Sequence, residues 1–325
     1  MGAGPSVEGC WAFGCRSATA QCVVQCNNEL GESCIWCPAT KRLFWLDLLK
    51  CELWTMDHAA QQKVTTRRVH MGWSGGCLAL RRDRGLVICS SLGIGLVEAG
   101  FLVGDITRAE LVPRIVAHPV REAGLDPKKV RLNDGRVDPQ GRLVVGCYHI
   151  GHETLTDETE LGGVFRLDPA GMRVEDLKPI GRVKVANGIA FKKDTMFFVD
   201  SPTRTVRRFH YSENGVPISE DSKMTDPSVH RANPDGACVD ARGGYWCTEF
   251  GSGRVCRFEG GKVTFTVRVP SARVTCCCFG GEDLDTLYIT TATRKDDSPP
   301  SEVKGGLFAV KIPGIRGVAE SVFAG

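Results

Sequence analysis

The amino-acid sequence predicts an all-β chain folded as a six-bladed β-propeller, and three observations predict it. A short pattern occurs six times, roughly 40–57 residues apart, and places Glu32, Gly76, Asn133, Asn187, Asp235 and Thr275 at one equivalent position, a period expected of propeller blades. Each of these lies four residues before an apolar residue (Trp36, Leu80, Val137, Phe191, Val239, Phe279) that ends a strand-like run. A polar or glycine-rich turn then leads to a second apolar run, at 43–46, 86–88, 143–145, 196–199, 245–247 and 287–289. Matching positions of radial blades meet near one axis. Five of the six residues there carry side-chain oxygen, so the repeat predicts a polar, oxygen-lined centre.

Taken in order, the six repeats account for the chain from residue 21 to residue 325 as a single domain, with residues 1–20 as an N-terminal extension whose order is left open. A length of 325 residues is large for one compact core, but a propeller distributes its core between blades. The run Gly305 to Val310 reads as a late strand that pairs with the stretch around Gln21 to Val24, since a ring left unclosed would expose sheet edges. Breaks in regularity fall at 117–129, 148–163, 212–232 and 294–306. The second follows the strand containing Cys147 near the predicted centre and is placed as a lid over the mouth.

The 41 Lys and Arg against 38 Asp and Glu leave a net charge of +3, with basic residues scattered as pairs such as Arg67-Arg68 and Arg207-Arg208, which argues against nucleic acid as a partner. No stretch approaches the ~18 apolar residues of a spanning helix and no export signal is evident at Met1 to Pro5, so the expectation is a cytoplasmic protein without a membrane partner. A monomer or weak dimer is expected. Most of the 16 cysteines sit inside apolar runs, where a thiol acts as a small hydrophobe, and reduced structural cysteines are expected.

The strongest local signal is the segment from Arg131 to Arg142, with Asn133-Asp134-Gly135 at its centre. Asn-Asp-Gly is turn chemistry. However, Asn187-Gly188 and Asp235-Gly236 fall at the same repeat position, and Glu32 occupies it in a fourth repeat. Glu32, Asn187 and Asp235 together form a hard-oxygen set suited to Ca²⁺, Mg²⁺ or Mn²⁺ rather than to structural zinc, which places a metal site on the central axis. Three side-chain ligands leave positions for water and substrate, as a catalytic metal requires. Arg131 lies two residues before Asn133, so both face one way on a strand and are candidate substrate-binding residues. Asp134 faces the other way and fixes the turn. Of His149, His152 and Glu153, the histidines read as rim residues, and Glu153 is placed at the mouth as a substrate contact. No G-x-S-x-G surrounds any serine, so a serine-hydrolase elbow is not expected.

At these residues the chain resembles the regucalcin/gluconolactonase family, also called the senescence-marker-protein family. The resemblance rests on Leu30-Gly31-Glu32-Ser33 with Ile35-Trp36, on Arg131 to Gly141, and on Asn187-Gly188-Ile189-Ala190-Phe191. Pro234-Asp235-Gly236 with Cys238 and Asp240-Ala241, Cys277-Cys278-Phe279-Gly280-Gly281, and the terminal Phe323-Ala324-Gly325 extend it from about residue 26 to the end. It implies a six-bladed propeller with one divalent cation held by Glu32, Asn187 and Asp235, and substrate contacts from Arg131 and Asn133. Ca²⁺ is expected ahead of Zn²⁺, Mn²⁺ or Mg²⁺. Cys34 and Cys37 depart from the family beside a ligand, and Tyr148-His149-Ile150-Gly151-His152 departs from its small or acidic residues after the third-blade strand.

The expected activity is a divalent-metal-dependent lactonase that opens a small sugar lactone to its aldonic acid. Arg131 and Asn133 would hold substrate hydroxyls and Asp235 would assist water attack. A carboxylate that ligates a cation is a poor base, however, because the cation lowers its proton affinity. A phosphotriesterase-like hydrolase and a non-catalytic calcium-binding propeller are the rival readings. Arg131 and Asn133 together favour an enzyme, since a metal buffer needs neither.

Overall fold

The apolar runs and glycine-rich turns build six antiparallel sheets among the residues that this computed structural model describes, namely 16–58, 63–101, 110–155, 161–293, 303 and 305–325. The sheets follow one another as blades of a β-propeller. Their innermost strands are Gly31–Cys37, Gly75–Leu80, Val130–Val137, Ala186–Lys192, Asn233–Val239 and Val274–Gly280. Each of these packs against the inner strands of both neighbouring blades, closing the circle. The expectation for the first 15 residues lies outside the described part, as do 156–160 of the proposed lid and most of 294–304.

Ring closure follows from the two chain ends. Leu307–Lys311 pairs antiparallel with Gln21–Val24, so blade 6 has three strands from the end of the chain and one from its beginning. This removes the open edges a split ring would carry. One further strand, Arg16–Thr19, adds in parallel to Lys262–Arg268 on the outside of blade 5.

Every inner strand carries a bulge at the same level. Pairing with the second strand shifts between Glu32 and Ile35, Gly75 and Leu78, Leu132 and Gly135, Asn187 and Ala190, Pro234 and Ala237, and Val274 and Cys277. A bulge sets two residues against one and re-aims a side chain. The six-fold pattern in the sequence is therefore a ring of bulges around the axis. In blade 2 the position must be glycine, because a Cβ on Gly76 would meet the Leu132 carbonyl oxygen at 2.6 Å.

The core lies between blades, where apolar faces of neighbouring sheets interdigitate. Trp246 of blade 5 meets Phe279 of blade 6 edge-on at 5.6 Å, and Trp36 of blade 1 stacks on Tyr288 of blade 6 at 6.3 Å. The cysteines join this packing: Cys77, Cys147, Cys247 and Cys277 are buried. Burial pushes the Cys147 thiol up to about 12, which leaves it unreactive.

The strand that carries Asp235 is fastened by a buried polar cluster. Glu249 pairs with Pro234 across the sheet; its carboxylate accepts from Arg254 Nε at 2.7 Å and Nη2 at 2.9 Å and faces His230 Nδ1 at 3.1 Å. His230 Nε2 in turn lies 3.0 Å from Thr225 Oγ1. This hydroxyl, imidazole and carboxylate stand in the order of a catalytic triad. Thr225 is buried, though, and its oxygen accepts the Val206 N–H, so the cluster holds the loop before Asp235 rather than presenting a nucleophile. At the other end of the inner strands, Glu320 of the C-terminal segment pairs with Arg136 at 3.0 Å.

Candidate functional site

At the N-terminal ends of the inner strands, a pocket of about 290 Å³ brings together Glu32, Arg131, Asn133, Asn187 and Asp235, with Glu153 and His152 on its rim. Residues from four blades thus converge on one cavity, as bulges at one level require. The Glu153 side chain is 70% exposed, so it meets solvent as well as the mouth. Thr275 departs from the oxygen-lined centre read from the repeat. Its hydroxyl donates to the Gly31 carbonyl of blade 1 and lies 3.0 Å from Thr290 Oγ1, and it does not reach the pocket. A hydroxyl with two partners across the blade seam is satisfied there.

The polar residues are tied to one another. Arg131 Nη1 donates to Asn133 Oδ1 at 2.7 Å, and its guanidinium lies 4.7 Å from the centre of the Tyr148 ring. Asn133 Nδ2 donates to Asn187 Oδ1 at 3.0 Å. Asn187 Nδ2 donates to Ser201 Oγ at 2.9 Å, and Ser201 passes its own proton to the Pro234 carbonyl at 2.6 Å. Ser201 thereby fixes the amide with its oxygen turned to the pocket and couples it to the strand of Asp235. Asp134 spends its oxygens on the N–H groups of Gly135 and Ile189, both at 2.9 Å.

The charge balance fits a cation. Burial first, and then the charge of Asp134, push the Glu32 carboxyl up to about 8 against the opposing pull of Ser33 N–H and Arg131. Burial and the charges of Glu32 and Asp134 raise Asp235 well above the usual carboxylate range. Acids crowded in this way repel each other as anions, and a divalent ion would supply the missing charge. Among the described residues no three His, Cys, Asp or Glu side chains form a metal-binding group. The third donor of the candidate set is instead the Asn187 amide, a hard oxygen like the other two. Because Ser201 orients that donor through its amide nitrogen, Ser201→Ala is expected to weaken cation affinity by about 10–100-fold, as read by calorimetric titration.

Residues 30–293 match the family described as SMP-30/Gluconolactonase/LRE-like region. The chain belongs to this family. Within the SMP-30/gluconolactonase family it is similar to a 6-deoxy-6-sulfogluconolactonase of Pseudomonas putida, 31% identical over 94% of this chain and 99% of that one. It is 28% identical to human regucalcin over 95% of this chain and 99% of the relative. Among solved structures of the family, a calcium-binding protein, regucalcin, from Agrobacterium tumefaciens superposes with a TM-score of 0.80 over 94% of this chain and 98% of that one, at 24% identity. A gluconolactonase of Xanthomonas campestris gives 0.65 at 19% identity, covering 90% of each chain. These likenesses place the fold in the same propeller class. No helix among the described residues is long and apolar enough to cross a membrane.

Several pocket residues were missed in the sequence, and one regularity would have found four of them. The residue two before each repeat position is Leu30, Ser74, Arg131, Val185, Asn233 and Arg273, and all but Ser74 line the pocket. Side chains two apart share a face of a strand, an argument the sequence reading applied only to Arg131. Arg273, the second cation of the pocket, stands over Phe250 with its guanidinium 5.6 Å from the ring centre.

Proposed function

We propose that the protein is a divalent-metal-dependent lactonase that opens sugar lactones to aldonic acids, and the single observation that carries this is the shared pocket of Glu32, Asn187 and Asp235 with Arg131 and Asn133. Membership of a family that includes gluconolactonases supports lactone hydrolysis as the reaction class. Glu32, Asn187 and Asp235 would hold the cation, with Ca²⁺ ahead of Zn²⁺, Mn²⁺ or Mg²⁺. Once bound, it would supply Lewis-acid polarisation of the ester carbonyl. Arg131 and Asn133, locked to each other, would receive the ring hydroxyls, each buried donor needing a partner. Glu153 would contact the substrate from the mouth, and Asp235 would orient the attacking water.

The pocket volume suits one sugar ring. Arg273 favours a particular version of that substrate: a lactone with an anionic group at the end remote from the ester, held by the guanidinium. The relative from Pseudomonas putida carries a sulfonated gluconolactone in its name, in line with this version.

The test is proton release on a panel of five- and six-membered aldonolactones, with a sulfonated lactone, a phosphotriester and an aryl ester beside them. Arg131→Ala and Asn133→Ala are each expected to lose about 100-fold or more in kcat/KM, the scale of a lost hydrogen bond to a polar transition state, and Arg131→Ala is expected to retain cation affinity. Loss of the cation in Arg131→Ala would show that this residue belongs to its shell and not to the substrate's. Turnover of the phosphotriester alone would favour the phosphotriesterase reading, and tight Ca²⁺ binding without any turnover the non-catalytic one.

A further inference from the structure

Asp235 is asked to do two incompatible things, because a carboxylate bound to a cation has little affinity left for a proton. A base that is not a ligand is needed, and the pocket lining contains one histidine, His152. It sits on the loop after the strand Leu143–His149, and only 9% of it is exposed. Its Nδ1 lies 3.0 Å from the His149 carbonyl oxygen. A carbonyl only accepts, so Nδ1 carries the proton and the neutral ring has its lone pair on Nε2. The Glu153 carboxylate lies 3.6 Å from that Nε2, too far for a normal hydrogen bond. The ring also packs edge-on against Tyr148 at 5.6 Å, and Tyr148 lies under the Arg131 guanidinium. His152 is thus held in register with the residue proposed to grip the substrate.

Resting on the lactonase reading, we infer that His152 is the general base of the reaction, taking a proton from the attacking water at Nε2 and returning it to the leaving ring oxygen. The water oxygen bonds to the lactone carbonyl carbon as its O–H bond to the departing proton breaks. The bond between carbonyl carbon and ring oxygen then breaks, and Nε2–H protonates the released alkoxide. One water is consumed and the imidazole ends neutral. Among the described residues, the charged or titratable groups around the ring are Glu153 on its own loop and Tyr148 and Arg131 of blade 3. Across the pocket stand Glu29, Glu32, Asp235 and Arg273.

The experiment compares the unaltered protein with His152→Gln, both saturated with cation, on the best lactone of the panel between about pH 5.5 and 8. In the unaltered protein kcat/KM should rise with pH over this range, because a base must be unprotonated to take the proton from water. In His152→Gln that rise should vanish and activity at the upper end should fall by about 10²–10⁴-fold, with cation affinity and Tm unchanged and partial rescue by added imidazole. Independently of any variant, ¹⁵N spectra of the unaltered protein should show His152 protonated at Nδ1 and bare at Nε2. An unchanged pH profile with less than about a tenfold loss, or an Nε2–H tautomer, would overturn the assignment while leaving the lactonase intact. Failure of the unaltered protein to open any lactone would overturn the lactonase reading first, and this one with it.

Discussion

Asp235→Ala and Glu32→Ala are each expected to reduce cation affinity by more than about 100-fold, beyond the ~10–100-fold range of an outer-shell loss, and to reduce lactone turnover with it. Each removes one of two carboxylates from a set whose third member is an uncharged amide. Asn187→Ala removes no charge and is expected to cost less. Calorimetric titration of metal-free protein checks the ranking. The variants should fold, because relieving the repulsion between Glu32 and Asp235 removes an unfavourable interaction from the metal-free state. An Asp235→Ala protein that binds Ca²⁺ as tightly as the parent would place the ion elsewhere.

The largest effect on stability is expected at Glu249. Its side chain is 0% exposed and its oxygens serve Arg254, His230, the Arg231 N–H and Ser252 Oγ. Glu249→Ala takes the carboxylate away from a guanidinium with 11% exposure, and breaking a buried pair on one side costs about 3–5 kcal/mol. Burial alone would raise the Glu249 carboxyl, but the hydrogen bonds from His230 and Arg254 outweigh it and hold the group below its ordinary value of 4.5. A carboxyl lowered on folding contributes stability that is present above its unfolded value and is lost as pH falls through the folded one. The parent should therefore lose Tm progressively below about pH 4.5, and Glu249→Gln should lack that part of the acid response. Thermal melts at a series of pH values measure both. Because Glu249 faces Pro234, the Ala variant is also expected to loosen the strand that presents Asp235.

The repeat was legible because each blade restates it locally: a polar or glycine position, four residues, an apolar stop, a turn and a second apolar run. The closing strand was legible for a related reason, since Leu307-Phe308-Ala309-Val310 needed a partner and Gln21 to Val24 was unclaimed. What stayed hidden depends on partners distant in sequence. The bulges are relations between two strands and cannot be seen in one. The pairing of Arg16–Thr19 with Lys262–Arg268 joins segments from opposite ends of the chain. Thr275 looked like Asn187 in the repeat, but Gly31 of the adjoining blade accepts its hydroxyl. Ser201 is a serine at a strand end, and only its position between Asn187 and Pro234 shows that it orients a candidate ligand. Arg273 was within reach of the same two-residue offset that picked out Arg131, as were Leu30, Val185 and Asn233.

The most direct measurement is lactone hydrolysis by protein stripped of metal with a chelator and then titrated with Ca²⁺, Zn²⁺, Mn²⁺ and Mg²⁺, with Asp235→Ala carried in parallel. The account predicts that turnover of an aldonolactone collapses on stripping, returns at about one ion per chain, and does not return in Asp235→Ala at the same concentration. Full lactone turnover by the stripped protein, or equal restoration of Asp235→Ala, would contradict it.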